Sequence, residues 1–596
     1  MEPEQPDLDA AKAAYMKFDP SGTGEISKVQ MRLALQVTAK KGDFPESKIT
    51  EAIEEVKEDS VPLQSFLSIF QKKGINVSSQ EFRTRAGKAL VQAHHTMEGA
   101  RHSYDQEEAR AFSMHVNKHL GTDPELSYLL PLHAEGLGLF EACTDGVLLC
   151  KLLNVAVPGT IFEKAINLRR PLNIFQVKEN LNLAINAAKS IGCKIISIFP
   201  ESIMEKKEHL VLGMVWQVVK KHVLAAINLK QHPELVKLVH EGEELSDLLK
   251  LPPEELLLRW LNYHLHRANS TRTVANFSTD LQDSECYTLI LNQIDSRCDL
   301  SAMQETNTTA RAQAVVRNAA LLGVSDQLID PSDIVKGNPK LNLLFCAEIF
   351  NVNPGLTATE QELMQAAQLL NDDVEGTREE RAFRMWINSL NLEDIYINNL
   401  YEDLKTGVVL LRVLDHVDPG SVNWKQCDKK PKNRFACIGN CNKVIEVGRA
   451  LGFQLVGVGG VDLSEAKRKF MLAYVWQLVR RATLKLLRDS TEEELLRWAN
   501  SRVPRLQISS FKDSALKSGL FLLDLYASIE PRALNPEFVT AGESPEEREQ
   551  NAKYVLSVAR KLGASVFCVW EDICEAKPKM ILTLIAAAAQ LSSLHS

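Results

Sequence analysis

The sequence contains little cysteine and no apolar run long enough to cross a membrane. The stretch HLVLGMVWQVVKKHVLAAI is interrupted by Lys220, Lys221 and His222, whereas a membrane span requires about 20 consecutive apolar residues. The N-terminus, MEPEQPDLDA, is acidic and lacks the apolar core of a signal peptide. We therefore expect a cytosolic protein without a membrane partner.

The sequence also lacks the patterns of a zinc site, a catalytic site and a general nucleic-acid-binding protein. The 11 cysteines are odd in number and include no CxxC pair. The closest grouping, Cys427, Cys437 and Cys441, has no matching histidine cluster, which favours reduced thiols over a zinc site. The GVGG turn at 457–460 lacks a following Lys-Ser/Thr, and no spacing indicates a catalytic triad, so we expect no enzyme activity. A formal net charge of −8 argues against general nucleic-acid binding.

What the chain does contain is a repeat. A length of 596 residues predicts about four to five domains, and four segments share an acidic start, apolar residues at helical spacing and a ring residue two positions before an asparagine. The four ring and asparagine pairs are His115 with Asn117, Trp260 with Asn262, Trp386 with Asn388, and Trp498 with Asn500. Neighbouring pairs lie between 498 − 386 = 112 and 260 − 115 = 145 residues apart, which is the size of a compact domain.

The same pattern predicts the inside of each domain. The tryptophans are expected in the core, and each following asparagine is expected to bond a neighbouring backbone group. A third helix should end at a glycine cap in three of the repeats, at Gly192, Gly452 and Gly563. The last helix of each repeat is apolar nearly all round, as in KLNLLFCAEIF, so it should lie at the centre of its domain.

These motifs resemble the calponin-homology domain, a small all-helical module. The signature E-x-x-[ATV]-[FY]-x-x-W-x-N is met in full by EERAFRMWIN at 379–388, whereas the first copy has His115 in place of tryptophan. This departure predicts a more polar core in the first domain. A solenoid of helix pairs is the alternative, but solenoid units have about 20 to 50 residues.

The arrangement of four such domains behind an EF-hand-like segment is similar to that of the fimbrin, or plastin, family. Strings such as ENLNLA, LPPEELLLRW, GNPKLNL and SFKDSALKSG carry the resemblance over essentially the whole chain. It implies an all-α fold of two tandem pairs that bind filamentous actin, so that a monomer cross-links two filaments into tight bundles in the cytoplasmic actin cytoskeleton. The alternative is a single-filament actin binder or a microtubule-directed linker.

The expected domain boundaries follow from the repeat and the family resemblance. They are a degenerate EF-hand-like pair at 8–72, a linker at 73–103, calponin-homology domains at 104–231, 252–354, 377–488 and 491–594, and an acidic linker at 355–376.

The actin-binding candidates combine one aromatic residue with basic residues in the first and third domains. The family resemblance implies actin as the partner, and the surface of actin is acidic. The closing regions of the first and third domains are far more basic than those of the second and fourth. The candidates are Phe112, Lys118, Lys206, Lys207, Lys220, Lys221, Lys467, Arg468, Lys469, Arg480 and Arg481. Favourable placement of cations near helix C-termini is the competing explanation for the charges.

The N-terminal segment FDPSGTGEISKVQ has the frame of an EF-hand loop. With Asp19 at the first position, a glycine falls at the sixth and Ile26 at the eighth. The remaining ligand positions hold Ser21, Thr23, Glu25 and Gln30, and Gln30 stands where a bidentate glutamate belongs. The partner hand retains Val61 as its apolar pairing residue. We expect no cofactor, with calcium bound weakly or not at all.

Overall fold

The computed structural model describes residues 104–595, except 134–136, 241, 250, 372–376 and 488–489, and residues 25–27, 31, 60–62, 65, 67 and 68. The chain divides into two units, Met1–Tyr104 and Asp105–Ser596. The two units are described separately.

The described part of the N-terminal unit includes two short antiparallel strands. Strand β1 spans Glu25–Ser27 and strand β2 spans Ser60–Pro62, with Ile26 opposite Val61. These are the two apolar positions expected to pair between the hands. Asp19, Ser21, Thr23 and Gln30 lie outside the described residues, so weak calcium binding stays a prediction.

The second unit is built from helices in four successive groups. The first group contains α1 Gln106–Leu120, α2 Gly138–Cys143, α3 Val147–Ala156, α4 Ile174–Ser190, α5 Pro200–Met204 and α6 Glu208–Leu224. After α7 Leu245–Leu248, the second group contains α8 Pro253–Arg267, α9 Glu285–Ile294, α10 Thr308–Leu322, α11 Pro331–Lys336 and α12 Pro339–Val352.

The second half of this unit repeats the pattern. After α13 Glu360–Asn371, the third group contains α14 Thr377–Ser389, α15 Leu400–Leu404, α16 Val408–Val417, α17 Arg434–Ala450, α18 Gly460–Ser464 and α19 Arg468–Leu486. The fourth contains α20 Glu492–Arg502, α21 Leu520–Ala527, α22 Pro545–Lys561, α23 Trp570–Cys574 and α24 Pro578–His595. This arrangement confirms the predicted all-α fold of the repeated part.

The closing helices α6, α12 and α24 lie at the domain centres, as their sequences predict, whereas α19 buries only one face. In the first domain, α6 packs against α1, α2, α3 and α5. In the second, every residue from Leu341 to Phe350 on α12 is buried. A helix buried on all sides can have apolar residues on every face because none of its faces must meet water.

The signature tryptophans are less uniform than predicted. Trp260 is fully buried, whereas Trp386 and Trp498 are half-buried. The indole of Trp498 carries Arg502 over its face at 5.9 Å. The expectation of a core tryptophan is therefore right for the second domain, while the third and fourth domains place the ring at the edge of the core.

The asparagine after each ring residue ties its helix to a distant loop. Asn388 donates to the carbonyl of Ile397 at 2.9 Å and accepts from its backbone N–H at 2.7 Å. The same two-way contact joins Asn117 to Leu132, Asn262 to Val274, and Asn500 to Ile508. The predicted bond to backbone is confirmed in all four domains.

A second buried asparagine holds the turn that precedes α16. In the third domain this residue is Asn440 on α17. Asn440 donates to the carbonyls of Thr406 and Asp428 at 3.2 and 2.8 Å. Gly407 in this turn has φ 75°, and a Cβ there would lie 2.8 Å from Cβ of Asn440. Glycine is required because the left-handed conformation and the close helix leave no room for a side chain. Gly146 and Gly519 repeat this geometry.

The second domain lacks this glycine and places Ser284 in the left-handed conformation, with φ 64°. Its buried Oγ has no hydrogen-bond partner among the described residues. Left-handed strain costs about 1–2 kcal/mol and an unsatisfied buried hydroxyl about 1–3 kcal/mol, against about 0.4–1 kcal/mol for glycine's extra unfolded-state entropy. Ser284→Gly should therefore stabilise the chain by about 1 kcal/mol, measured as a higher urea midpoint.

Ser332→Gly is the matched control for this substitution. Ser332 lies in the first turn of α11, where the backbone is helical, so glycine there should destabilise by about 0.5–1 kcal/mol. A lower midpoint for both variants would show that Ser284 is not strained.

The acidic connector between the second and third domains contains α13, which packs against a short 3-10 helix at Pro233–Leu238. Lys237 and Glu362 form an ion pair at 3.1 Å, and Ala366 is fully buried. The connector therefore docks onto the segment that joins the first two domains. No described helix combines the length and apolar character that crossing a membrane requires.

Candidate functional site

Ion pairs join the two domains of each tandem pair at corresponding places. Glu108, which opens the signature in the first domain, pairs with Lys340 of the second at 2.5 Å. Glu379, which opens it in the third domain, pairs with Lys579 of the fourth at 2.5 Å. The first acid of the signature thus helps to hold each pair together.

Two predicted actin-binding cations contribute to the same junctions. Lys220 on α6 pairs with Glu254 on α8, and Arg480 on α19 pairs with Glu492 on α20, both at 2.5 Å. Each pair joins the closing helix of one domain to the opening helix of the next. Their charge is already balanced inside the chain.

Arg481 forms an ion pair within the third domain. Its guanidinium lies 3.0 Å from Asp418, and Lys485 lies 2.7 Å from the same carboxylate. Hydrogen bonds from these two cations lower the pKa of Asp418. The dense positive charge that the sequence places at the end of the third domain is thus partly neutralised by one aspartate.

Other predicted cations form exposed ion pairs. Apart from Lys118, whose partner Glu348 at 3.1 Å is buried, the pairs are Lys206 with Glu141, Lys207 with Glu205, and Lys467 with Asp462, at 3.0, 3.1 and 2.7 Å. Exposed pairs contribute only about 0–1 kcal/mol. These cations can therefore exchange their carboxylate for an acidic partner at little cost.

Three further predicted residues have different locations. Arg468 and Lys469 are exposed at the start of α19, with Arg468 over the ring of Tyr401 at 5.4 Å. Phe112 has no exposed surface and stacks on Trp216, with ring centroids 5.6 Å apart. Its location places Phe112 in the core and removes it from the candidate surface.

The first and third domains also share exposed apolar side chains that the sequence pattern did not single out. Aligning their closing helices gives an offset of 476 − 216 = 260 residues. At this offset Phe175 matches Phe435, with exposures of 60% and 85%, and Ile196 matches Val456, with 44% and 91%. The corresponding helices of the second and fourth domains, α10 and α22, begin with Thr-Thr and Pro-Glu instead.

Each of these exposed pairs lies at one end of its domain. Phe175 is in the first turn of α4, and an ion pair of 2.9 Å between Lys178 and Glu201 ties that end of α4 to α5, just after Ile196. In the third domain, α17 packs against α18 in the same way. Each tandem pair therefore carries a matched set of two exposed apolar side chains on its first member. We call these the Phe175 surface and the Phe435 surface.

The first and fourth domains are also in contact, through α4 and α22. Arg560 is buried and donates to the carbonyl of Thr160 at 2.7 Å, while Asn186 donates to the carbonyl of Arg560 at 3.1 Å. Burial lowers the pKa of Arg560 to about 10. Beside it, Lys561 lies 3.3 Å from Glu179. These contacts hold the front pair, which is the first and second domains, against the back pair, which is the third and fourth domains.

A cavity of about 910 Å³ separates parts of the first and third domains, and its lining includes Lys220, Lys221 and Arg468. Tyr396 closes one side by donating to the carbonyl of Gly192 at 2.7 Å. Burial, with neighbouring arginines, lowers the pKa of Lys221. Solvent still reaches Lys221 through this cavity.

Comparison with known proteins identifies the repeated module. The calponin homology domain model matches residues 106–223, 251–355, 377–483 and 489–592. Fimbrin from Dictyostelium discoideum is 38% identical over 608 residues, covering 97% of this chain and 97% of that protein. The chain belongs to the fimbrin/plastin family.

Other relatives of this fimbrin/plastin chain extend the match across kingdoms. Human plastin-1 is 37% identical, covering 97% of this chain and 96% of that protein. Fimbrin-3 from Arabidopsis thaliana is 39% identical, covering 89% of this chain and 76% of that protein. The crystal structure of the actin-crosslinking core of Schizosaccharomyces pombe fimbrin is 37% identical with a TM-score of 0.72, covering 81% of this chain and 99% of that one. The predicted family and its four domains are confirmed.

Within the fimbrin/plastin arrangement, the first domain keeps the polar core that its sequence departure predicts. His115 is only 1% exposed, and its Nε2 lies 3.0 Å from Nδ1 of His222. His119 lies beside both rings. The sequence located the substitution at His115 but not the two histidines that meet it.

Proposed function

We propose that the chain cross-links actin filaments into bundles, with each tandem pair binding one filament. The observation that carries this proposal is the repeated apolar surface, Phe175 with Ile196 in the front pair and Phe435 with Val456 in the back pair. Exposed apolar groups at matched places are typical of interaction sites. Two sites in one chain allow a monomer to bridge two filaments.

Exposed cations supply the second part of each proposed surface. Lys206 lies near the end of α5 in the first domain, and Lys469 lies in the first turn of α19 in the third. A basic rim favours an acidic partner and speeds its association in a salt-dependent manner. The apolar residues then provide the desolvated centre of the contact.

The contacts already made by Arg480 and Arg481 change how the proposed surface is best tested. Reversing either charge would place a carboxylate beside Glu492 or Asp418, and would weaken the fold together with any binding. Lys469 forms none of the ion pairs found among the described residues. Lys469→Glu is therefore the cleaner probe of the electrostatic contribution.

The proposed role is structural, not enzymatic, and places the chain in the cytoplasm with actin filaments. The family consists of cytoskeletal proteins, and filaments are the proposed partner. The eroded ligand set of the N-terminal loop leads us to propose further that bundling runs without a calcium switch. Gln30 at the last ligand position is the main reason, because EF-hands use a bidentate glutamate there.

Pelleting of the full chain with filaments tests this function. The chain should sediment with actin at low speed, where only bundles pellet, and should not sediment with microtubules. Adding calcium or a chelator should leave the low-speed pellet unchanged. Actin in the high-speed pellet alone would indicate a single-filament binder, and co-sedimentation with microtubules would indicate a different linker.

A further inference from the structure

Three histidines of the first domain meet between its opening and closing helices. His115 and His119 lie one turn apart on α1, and His222 lies in the last turn of α6. Their ring centroids are 4.5, 4.6 and 5.1 Å apart. One ring nitrogen from each lies within 4.8 Å of the other two. We call this group the three-histidine cluster.

The three-histidine cluster has unused hydrogen-bonding capacity. Nδ1 of His115 and Nε2 of His119 are buried and have no hydrogen-bond partner among the described residues. An unsatisfied buried polar atom destabilises a fold, and most such atoms in proteins have a partner. Of the two atoms, the free nitrogen of His119 is the one that can join the nitrogens shared by His115 and His222 in holding a ligand.

We propose that His115, His119 and His222 form a binding site for a divalent transition metal ion of the zinc type. Neutral imidazole nitrogen is a preferred ligand of zinc, and three histidines leave a fourth position for water. Calcium and magnesium are poor candidates because they prefer oxygen ligands.

The distances suit this assignment. A tetrahedral zinc ion with Zn–N bonds of about 2.05 Å has ligands about 3.3 Å apart. His115 Nε2 and His222 Nδ1 are already 3.0 Å apart. His119 is one helical turn from His115, and side-chain rotation brings its free nitrogen toward the other two. Two ligands at i and i+4 on one helix face are a recurring metal-binding arrangement.

Metal binding at the three-histidine cluster requires one hydrogen to move within a ring. His115 Nε2 and His222 Nδ1 are hydrogen-bonded, so one of these two nitrogens carries a hydrogen. That hydrogen must move to the other nitrogen of the same ring before both nitrogens can bind the ion. Glu348, which pairs with Lys118 at 3.1 Å, supplies a compensating negative charge near the cluster.

The third domain supplies a natural comparison. Trp386 occupies the signature position of His115, and the 260-residue offset places Ala482 at the position of His222. Two imidazoles thus replace an indole and a methyl group of similar combined volume. Filling of the core would therefore also explain the exchange. The double variant His115→Trp/His222→Ala separates core filling from metal binding, because it keeps the side-chain volume and removes two ligands.

Metal titration of the full chain, purified without a histidine tag, tests the site. The parent should bind one more equivalent of Zn²⁺ than the double variant. Co²⁺ should give the parent a visible absorption band typical of a tetrahedral site, and Zn²⁺ should bleach it. His119→Gln should weaken the affinity for this additional Zn²⁺ ion by about 100-fold or more. Loss of a residue that only hydrogen-bonds to a metal ligand already costs up to about 100-fold in affinity, and His119 is proposed as a ligand itself.

His266→Gln is the matched control, because His266 is an exposed histidine on α8 and its removal should change neither stoichiometry nor affinity. Added Zn²⁺ should also raise the thermal midpoint of the parent but not of the double variant, whose own folding is checked by circular dichroism. Equal Zn²⁺ binding by the parent, His119→Gln and the double variant would overturn the proposal. Any binding elsewhere in the chain would persist in all variants.

Discussion

Replacing Phe175 or Phe435 by serine is expected to abolish filament bundling while leaving the chain bound to single filaments. Each substitution removes the central apolar group of one proposed surface and leaves the other intact. Loss of an aromatic anchor costs about 2 kcal/mol or more at an interface, or about 30-fold in affinity. Low-speed pelleting should therefore lose actin, whereas high-speed pelleting should still retain the variant with filaments.

The double variant should lose both activities. With Phe175 and Phe435 both changed, neither tandem pair retains its apolar centre, and binding at high speed should fall as well. Exposed positions of this kind usually change folding stability by no more than about 0.5 kcal/mol. The loss can therefore be assigned to binding and not to unfolding.

Two controls sharpen the result. Leu321 is 52% exposed on the second domain, and Leu321→Ser should leave bundling unchanged. Arg532 of the fourth domain lies over the ring of Phe175 at 5.3 Å, so Arg532→Ala tests whether loss of that contact alone has an effect. Bundling at the parent level by either single phenylalanine variant would exclude that phenylalanine as an anchor, and filament binding at the parent level by the double variant would exclude both surfaces.

The features that the sequence predicts correctly are local or periodic. Asn388 and its three counterparts were expected to bond backbone groups because an amide two residues after a core ring cannot share the apolar face. The glycines that end the third helices have positive φ, as at Gly452 with 82°, because a helix cap needs that conformation. Such features depend on a few neighbouring residues, so one sequence contains the information.

The features that it misses depend on contacts between distant parts of the chain. A count of basic residues cannot tell that Arg481 is paired with Asp418, 63 positions away. Nor can it tell that Phe175 and Phe435 stay exposed, because an aromatic residue near a helix start usually packs inward. The burial of Phe112 has the opposite cause, since its helical position is apolar and faces Trp216.

Glu179→Ala should weaken the contact between the first and fourth domains strongly. Lys561 is 5% exposed, and its Nζ reaches Glu179 at 3.3 Å and the Asn167 side-chain oxygen at 3.1 Å. Without Glu179 the buried ammonium keeps only a neutral acceptor, and removing one partner of a buried pair costs about 3–5 kcal/mol. Since Glu179 is 19% exposed, we expect about 3 kcal/mol, measured as a lower midpoint for the first urea transition.

Glu201→Ala supplies the contrast that identifies burial as the cause. Glu201 forms the same kind of ion pair with Lys178 on the same domain, but the two side chains are 56% and 44% exposed, so its loss should cost less than about 1 kcal/mol. The urea midpoint of Glu179→Gln should fall between those of the two alanine variants, because the amide still accepts a hydrogen bond but carries no charge.

Midpoints are compared instead of fitted free energies because four domains need not unfold in one step. Equal midpoints for Glu179→Ala and Glu201→Ala would mean that the Lys561 contact does not hold the first and fourth domains together, and that the remaining contacts along α4 and α22 carry that interface.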